Sequence, residues 1–373
     1  MKIKKINKIL VIVLLLISLV GCNHELVVTD LTIEEDTKFG GTYIHKTIDE
    51  FCELGFRYGD SVNVIFSNGY SFYDIPFYTG YFVRNDLPLL IAYPGYPYIE
   101  VNYNNGIGTY EEGKLNENVT ATIELNEVGK YLDIQNAMSV YTSLDRNKYE
   151  SDEIFGNFRP LSGGNINSDI IYRSATPCDN TYNRAECVSG LCEKYKINTI
   201  IDLSDSEEEI KNHYDNKDVN IPYWRSVYDT GHVYGLDISS DYRKQEYANK
   251  VVNGLRQIIN NDGPYLIHCV EGKDRTGFVS LLLEALCNAS MEELEYDYML
   301  TYSNLFFLTK ENNEKMYDAY YDIKFTDFIT YLTSKDSLEL ITNENIVEGA
   351  KAYLEYGGMS LEEIDLLIGK IAQ

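Results

Sequence analysis

His268-Cys269-Val270-Glu271-Gly272-Lys273-Asp274-Arg275-Thr276-Gly277 lies between two apolar runs. Tyr265-Leu266-Ile267 precedes it and has the length and composition of a buried strand. Phe278-Val279-Ser280-Leu281-Leu282-Leu283 follows it and begins a helix. The stretch therefore reads as strand, tight loop and helix N-terminus. The first N–H groups of a helix have no partner inside it, and its dipole places positive charge there, so this geometry favours an anion. A cysteine at the mouth of such a loop is expected to have a depressed pKa, because its thiolate is the anion stabilised. Arg275, six positions later, reaches back to grip a phosphate through two nitrogens. Gly272 lets the loop pack without a side chain. Thr276 is expected to donate a hydrogen bond to the sulfur. A nucleotide P-loop is excluded on spacing. Gly272-Lys273 is followed by Asp274 rather than Ser or Thr, and no glycine stands five residues before Gly272.

Outward from this loop, strands alternate with helices. Ile197 to Leu203 is a buried-strand pattern. Ala185, Val188, Leu191, Cys192 and Tyr195 recur at helical spacing before it. Tyr247, Val251, Val252, Leu255, Ile258 and Ile259 line one helix face after it, and Asn261-Asp262-Gly263-Pro264 stops that helix. Ser290 with Glu293 and Ser360 with Glu363 fit capping boxes. The pattern predicts an α/β fold, a sheet flanked by helices, over residues 130–373. Residues 37–129 read differently. Val62 to Phe66, Leu89 to Tyr93, Tyr98 to Tyr103 and Val119 to Leu125 are short strand-like runs, stopped by Gly, Pro and Asn. They predict a small all-β barrel or sandwich, an accessory domain of unknown ligand.

At residues 268–277 the sequence resembles the cysteine-based protein tyrosine phosphatases, whose signature is HCxxGxxRTG. Its GKDR variant is most similar to bacterial dual-specificity and phosphoinositide-type members. Asn157-Phe158-Arg159 with Gly163-Gly164, Tyr172-Arg173-Ser174-Ala175, Ile200 to Leu203, and Asp297-Tyr298 with Ser303-Asn304 resemble further motifs of that family. Ser204 stands where the family has an arginine. The resemblance spans about residues 150–305. It implies a tyrosine-phosphatase-like sheet and double displacement through a cysteinyl-phosphate. Cys269 would be the nucleophile, and the loop Cys269, Val270, Glu271, Gly272, Lys273, Asp274 and Arg275 would cradle the phosphate. A general acid on an upstream loop is also implied. Asp229, Asp237 and Asp241 are the candidates. Asp237, just before the helix, is preferred, and Asp241 also reads as the N-cap of that helix. Asp202 and Asp274 remain open, since Asp274 could instead orient Arg275. His268 reads as a residue that shapes the loop, Arg173 as a supporting partner or a surface ion pair, and Lys273 as added positive charge.

The chain begins with Lys2, Lys4, Lys5 and Lys8, followed by an apolar run from Ile9 to Val20 broken only by Ser18. That run is short for a transmembrane helix and has the layout of an export signal. Leu19-Val20-Gly21-Cys22 resembles a bacterial lipobox, which implies a signal peptide over 1–21 and lipidation of Cys22. Residues 22–36 read as an acidic tether, and the implied location is the outer face of a bacterial cytoplasmic membrane. The formal net charge is −26, so nucleic-acid binding is disfavoured and an anionic membrane would repel the body. Attachment is therefore expected through the lipid alone. The 7 cysteines show no paired metal-ligand spacing, and a metal site or cofactor is not expected. The expected partner is a phosphorylated protein, by default phosphotyrosine. A phosphoinositide or inositol polyphosphate is the alternative substrate, and a non-catalytic phosphate-binding surface module is the alternative of another class.

Overall fold

The computed structural model describes residues 26–372, so the signal peptide and Cys22 lie outside the described residues. The chain divides into two compact units. One holds residues 26–81 together with Pro88–Leu132, and the other holds Phe82–Leu87 and residues 133–372.

The first unit is a closed seven-stranded barrel. Its strands are β1 (Val27–Glu35), β2 (Thr42–Ile44), β3 (Ser61–Phe66), β4 (Ser71–Tyr78), β5 (Pro88–Ile91), β6 (Ile99–Tyr103) and β7 (Thr120–Glu127). The order around the barrel is β1-β2-β6-β5-β4-β3-β7, antiparallel except for β4 with β5. Inward positions carry the core: Leu31, Ile33, Val62, Val64, Phe66, Val101, Ala121 and Ile123 are buried. Closure leaves no exposed strand edge.

β1 corrects the expected tether. Nine residues read as linker form a strand paired to both β2 and β7. Leu31 and Ile33, two apart, face the core, while Thr32 between them and the acidic Asp30, Glu34 and Glu35 on either side face solvent. The charge density that suggested a tether is the outer face of a strand. The boundary between the units lies at Leu132/Asp133 rather than at 129, and Phe82–Leu87 belongs with the second unit. There the Asn85 amide donates to Asp327 Oδ2 at 2.6 Å.

The second unit contains a mixed sheet of β8 (Arg159–Pro160), β9 (Ile171–Ser174), β10 (Thr199–Asp202), β11 (Val233–Gly235) and β12 (Tyr265–His268), in the order β11-β10-β12-β9-β8. Every pair is parallel except β8 with β9. Parallel strands need both faces covered, which is why β9, β10 and β12 are buried at every position. Helix Gln245–Asn260 covers one side through Tyr247, Val251, Val252, Leu255 and Ile258, as its periodicity predicts. Helix Asp274–Leu286 is buried from Thr276 to its end. Its interior course fixes its N-terminus against the ends of β12 and β9. Both expected capping boxes form, at Ser290 and at Ser360. The six described cysteines are free, and Cys178, Cys192, Cys269 and Cys287 are buried. Among the described residues no helix is long and apolar enough to cross a membrane.

Candidate active site

Parallel register places Ser174, His268 and Asp202 side by side at the C-terminal ends of β9, β12 and β10. The loop Cys269 to Lys273 leaves this edge and enters helix Asp274–Leu286. Crevices at the carboxyl ends of parallel strands are where open α/β sheets hold ligands.

The loop is shaped by what holds its carbonyls. Arg173 Nη2 donates to Gly272 O at 2.9 Å, and Asn157 Nδ2 donates to the same oxygen at 3.0 Å. Val270 O accepts from Thr176 N at 3.2 Å. With these carbonyls turned outward, the N–H groups from Val270 to Thr276 donate no hydrogen bond among the described residues; the first to do so is Gly277, to Lys273 O. A run of free amides ending at a helix N-terminus is an anion nest. Gly272 has φ +68°, and a Cβ there would lie 2.3 Å from Ser174 O. Only glycine fits this position.

Behind the loop sits a buried charge cluster. Asp297 accepts from Arg159 Nε at 2.7 Å and from Arg173 Nη1 at 2.5 Å. Arg159 Nη1 donates to Asn157 Oδ1 at 2.6 Å, and Asn304 Nδ2 donates to the same oxygen at 3.1 Å. Burial opposes ionisation of Asp297, but the two guanidiniums outweigh it and hold its carboxyl below the usual range. Burial, and the neighbouring Arg173 charge, bring Arg159 down to about 10. Glu284, whose Oε1 accepts from Gly163 N, is pushed well up by burial and by Asp297. Thus the separate motifs Asn157-Phe158-Arg159, Gly163, Arg173, Asp297 and Asn304 meet in one network. Arg173 is fully buried in it, which rules out a surface ion pair.

Cys269 is 4% exposed, at the floor of the loop. Arg275 is half-buried and donates from Nη1 to Ile238 O at 3.1 Å. The guanidinium therefore ties the start of the helix to the segment after β11. Lys273 lies 3.4 Å from Glu271 and 3.8 Å from Asp274, with its ammonium 5.5 Å from the Phe306 ring centroid. Burial would lower its pKa, yet Asp274 and Glu271 together raise it, so it is a cation. Asp274 is held down by Lys324 and Lys273 against the burial of its surroundings.

Two expectations are corrected here. Thr276 Oγ1 is buried without a hydrogen-bond partner, so it makes no bond to the Cys269 sulfur. Asp241 is not a helix N-cap; the helix starts at Gln245, and Asp241 instead accepts from Arg243 N and Nε, each at 3.2 Å. The remaining acid candidates separate by environment. Asp229 accepts from the Tyr214 hydroxyl at 2.7 Å. Asp202 is fully buried, with Oδ2 3.6 Å from His268 Nε2, and burial raises its pKa. Asp237 is exposed, has φ +45°, and adjoins the Ile238 carbonyl held by Arg275. Its carboxylate lies 3.6 Å from Lys250.

A family model described as the tyrosine phosphatase family matches residues 155–372, more than half of the chain. The chain belongs to the tyrosine phosphatase family. Among solved structures it is similar to the core catalytic domain of the PP-IP phosphatase SIW14 from S. cerevisiae in complex with citrate. That match has 20% identity and a TM-score of 0.29, and covers 52% of this chain and 95% of that one. A second structure of the Siw14 catalytic core matches at 18% identity and a TM-score of 0.28, covering 52% and 94%. No curated protein matches the chain. Family membership makes this a cysteine-based phosphatase with a phosphorylated substrate. Spacing along the chain predicts no metal cluster, but the fold brings the donor atoms of Cys178, Asp205 and His213 within 4.8 Å of one another, outside this loop.

Proposed function

We propose that this protein hydrolyses phosphomonoesters at the loop 269–275, with phosphotyrosine in protein as its substrate. The supporting observation is the run of unengaged amides from Val270 to Thr276 around Cys269, with Arg275 beside it. Cys269 Sγ attacks phosphorus, and the bond to the leaving oxygen breaks. The loop amides and Arg275 stabilise charge on the equatorial oxygens as it builds. Asp237 gives its proton to the leaving oxygen, because it is the exposed candidate on the segment that Arg275 anchors. Water then releases phosphate and regenerates the thiol. The cluster around Arg173 holds the loop rather than touching substrate. The bacterial GKDR-type subgroup is the best-fitting branch, and Cys22 is proposed to carry a lipid that anchors the protein outside the cytoplasmic membrane.

An inositol polyphosphate or phosphoinositide substrate is the second reading, favoured by Lys273 and Lys324 flanking the loop. Glu271 and Asp274 offset those two charges, so surplus positive charge for further phosphates is small. Phosphate release from p-nitrophenyl phosphate tests the chemistry. Cys269→Ser is expected to abolish it, and Asp237→Asn to lower kcat by roughly 10²–10⁴-fold with loss of the basic limb of the pH profile. Equal rates for wild type and Cys269→Ser, or no turnover by wild type, would remove the enzymatic reading. A panel of phosphotyrosine peptides and inositol polyphosphates then decides the substrate.

A further inference from the structure

The same sheet edge carries a second group of reactive side chains that the phosphatase chemistry does not use. Cys178 lies in the loop after β9, and Asp205 in the loop after β10. His213 is on helix Glu207–Asp215, which that second loop enters. One donor atom from each lies within 4.8 Å of the other two. His213 Nε2 is 3.2 Å from Asp205 Oδ2, so the imidazole and the carboxylate already face each other. Cys178 is 1% exposed, with its Sγ 3.4 Å from the Thr176 hydroxyl. The His213 and Asp205 side chains are 25% and 13% exposed, which leaves an approach from solvent.

A second carboxylate adds to this. Asp202, fully buried at the end of β10, has an Oδ2 that makes no hydrogen bond and lies 3.6 Å from His268 Nε2, and its charge acts on both Cys178 and His213. Buried carboxylate oxygens without donors are costly unless a cation compensates them.

We propose that Cys178, Asp205 and His213 bind one divalent transition-metal ion of the zinc type. A tetrahedral zinc ion with such ligands holds its donors roughly 3.3–3.6 Å apart, so closure of the trio needs shifts of about 1 Å or less. Sulfur and imidazole together select zinc or cobalt over magnesium and calcium, which take oxygen ligands. Three protein ligands leave one position for water or a small anion. On binding, the thiol and the imidazole each act as deprotonated donors, and any proton they carried leaves to solvent. The negative charge already gathered by Asp202 and Asp205 offsets that of the ion.

The test is titration of the full chain carrying Cys269→Ser with Co²⁺, since that background removes the nucleophilic thiol of the phosphatase loop. One Co²⁺ per chain with a thiolate-to-cobalt absorption band is expected. Adding Cys178→Ser is expected to abolish the band. Adding His213→Ala, at a partly exposed site where circular dichroism checks the fold, is expected to weaken binding roughly 100-fold or more. Absence of a thiolate band in Cys269→Ser overturns the proposal. So does a band that survives Cys178→Ser, or an affinity unchanged by His213→Ala. Phosphatase activity does not enter the readout, so its presence or absence leaves the result intact.

Discussion

Both units bury carboxylates, but they compensate them differently. In the phosphatase unit Asp297 receives hydrogen bonds from two arginines and its pKa falls. In the barrel Glu100 is fully buried, accepts one bond from Asn102, and has a second oxygen without a hydrogen-bond partner. Burial first, then the Asp36 charge, pushes it up to about 8. Pairing with two arginines keeps Asp297 ionised, while Glu100, without a cationic partner, stays protonated near neutral pH. The first arrangement is rigid and directional, as a loop that must present amides to an anion requires. The second makes the barrel sensitive to pH.

The strongest way to break this contrast is to remove one arginine. Arg173→Met deletes a donor to Asp297 and a donor to Gly272 O, leaving both buried acceptors short of partners. Breaking a buried pair from one side costs about 3–5 kcal/mol. We expect that loss in urea unfolding followed by the fluorescence of Trp224, the sole tryptophan, together with reduced turnover of p-nitrophenyl phosphate. A loss under about 1 kcal/mol would mean that the cluster is dispensable and the two units are less different than their geometry indicates.

The barrel supplies the next test. Glu100 has a folded-state pKa above its unfolded value, so it costs nothing below pH about 4.5 and erodes stability as pH rises towards about 8. Within that window the slope is about 1.4 kcal/mol per pH unit, before solvent relaxation reduces it. Glu100→Gln cannot ionise and is expected to flatten that slope, seen as a higher Tm at pH 8 than wild type and little change at pH 5. The Asp297 case runs oppositely, its contribution being present at neutral pH and lost as pH falls through its depressed value. Thermal scans across pH 3 to 8 separate the two signs.

The sequence exposes these regions unequally. The loop 268–277 is legible because its chemistry is local: a strand, an amide-rich turn and a helix start follow one another within a few residues. The helix face from Tyr247 to Ile258 is legible from period alone. Arg159, Arg173 and Asp297 are visible as motifs, but their common network depends on strand order, which local pattern does not encode. The Cys178, Asp205 and His213 group is hidden for the same reason, since its members come from two loops and a helix. β1 is misread because Asp30, Glu34 and Glu35 on a barrel exterior give it the composition of a tether. Thr276 is misread because its hydroxyl direction depends on the packing of a fully buried helix.

The smallest effect separates local from global signals. Ser290 accepts from Glu293 N while Glu293 accepts from Ser290 N, a box legible from four residues. Thr47 and Glu50 make the same box at a barrel helix of six residues, Ile48–Glu53. Replacing either cap by alanine removes the bond that the hydroxyl accepts from the third helical amide and costs about 1 kcal/mol, regardless of the fold around it. We therefore expect Ser290→Ala and Thr47→Ala to lower stability by similar amounts in denaturant titrations. If only Ser290→Ala does so, the short barrel helix is held by the stacked Phe51 and Phe56 rings rather than by its cap. The contrast between the units would then extend from buried charge to how each secures its helices.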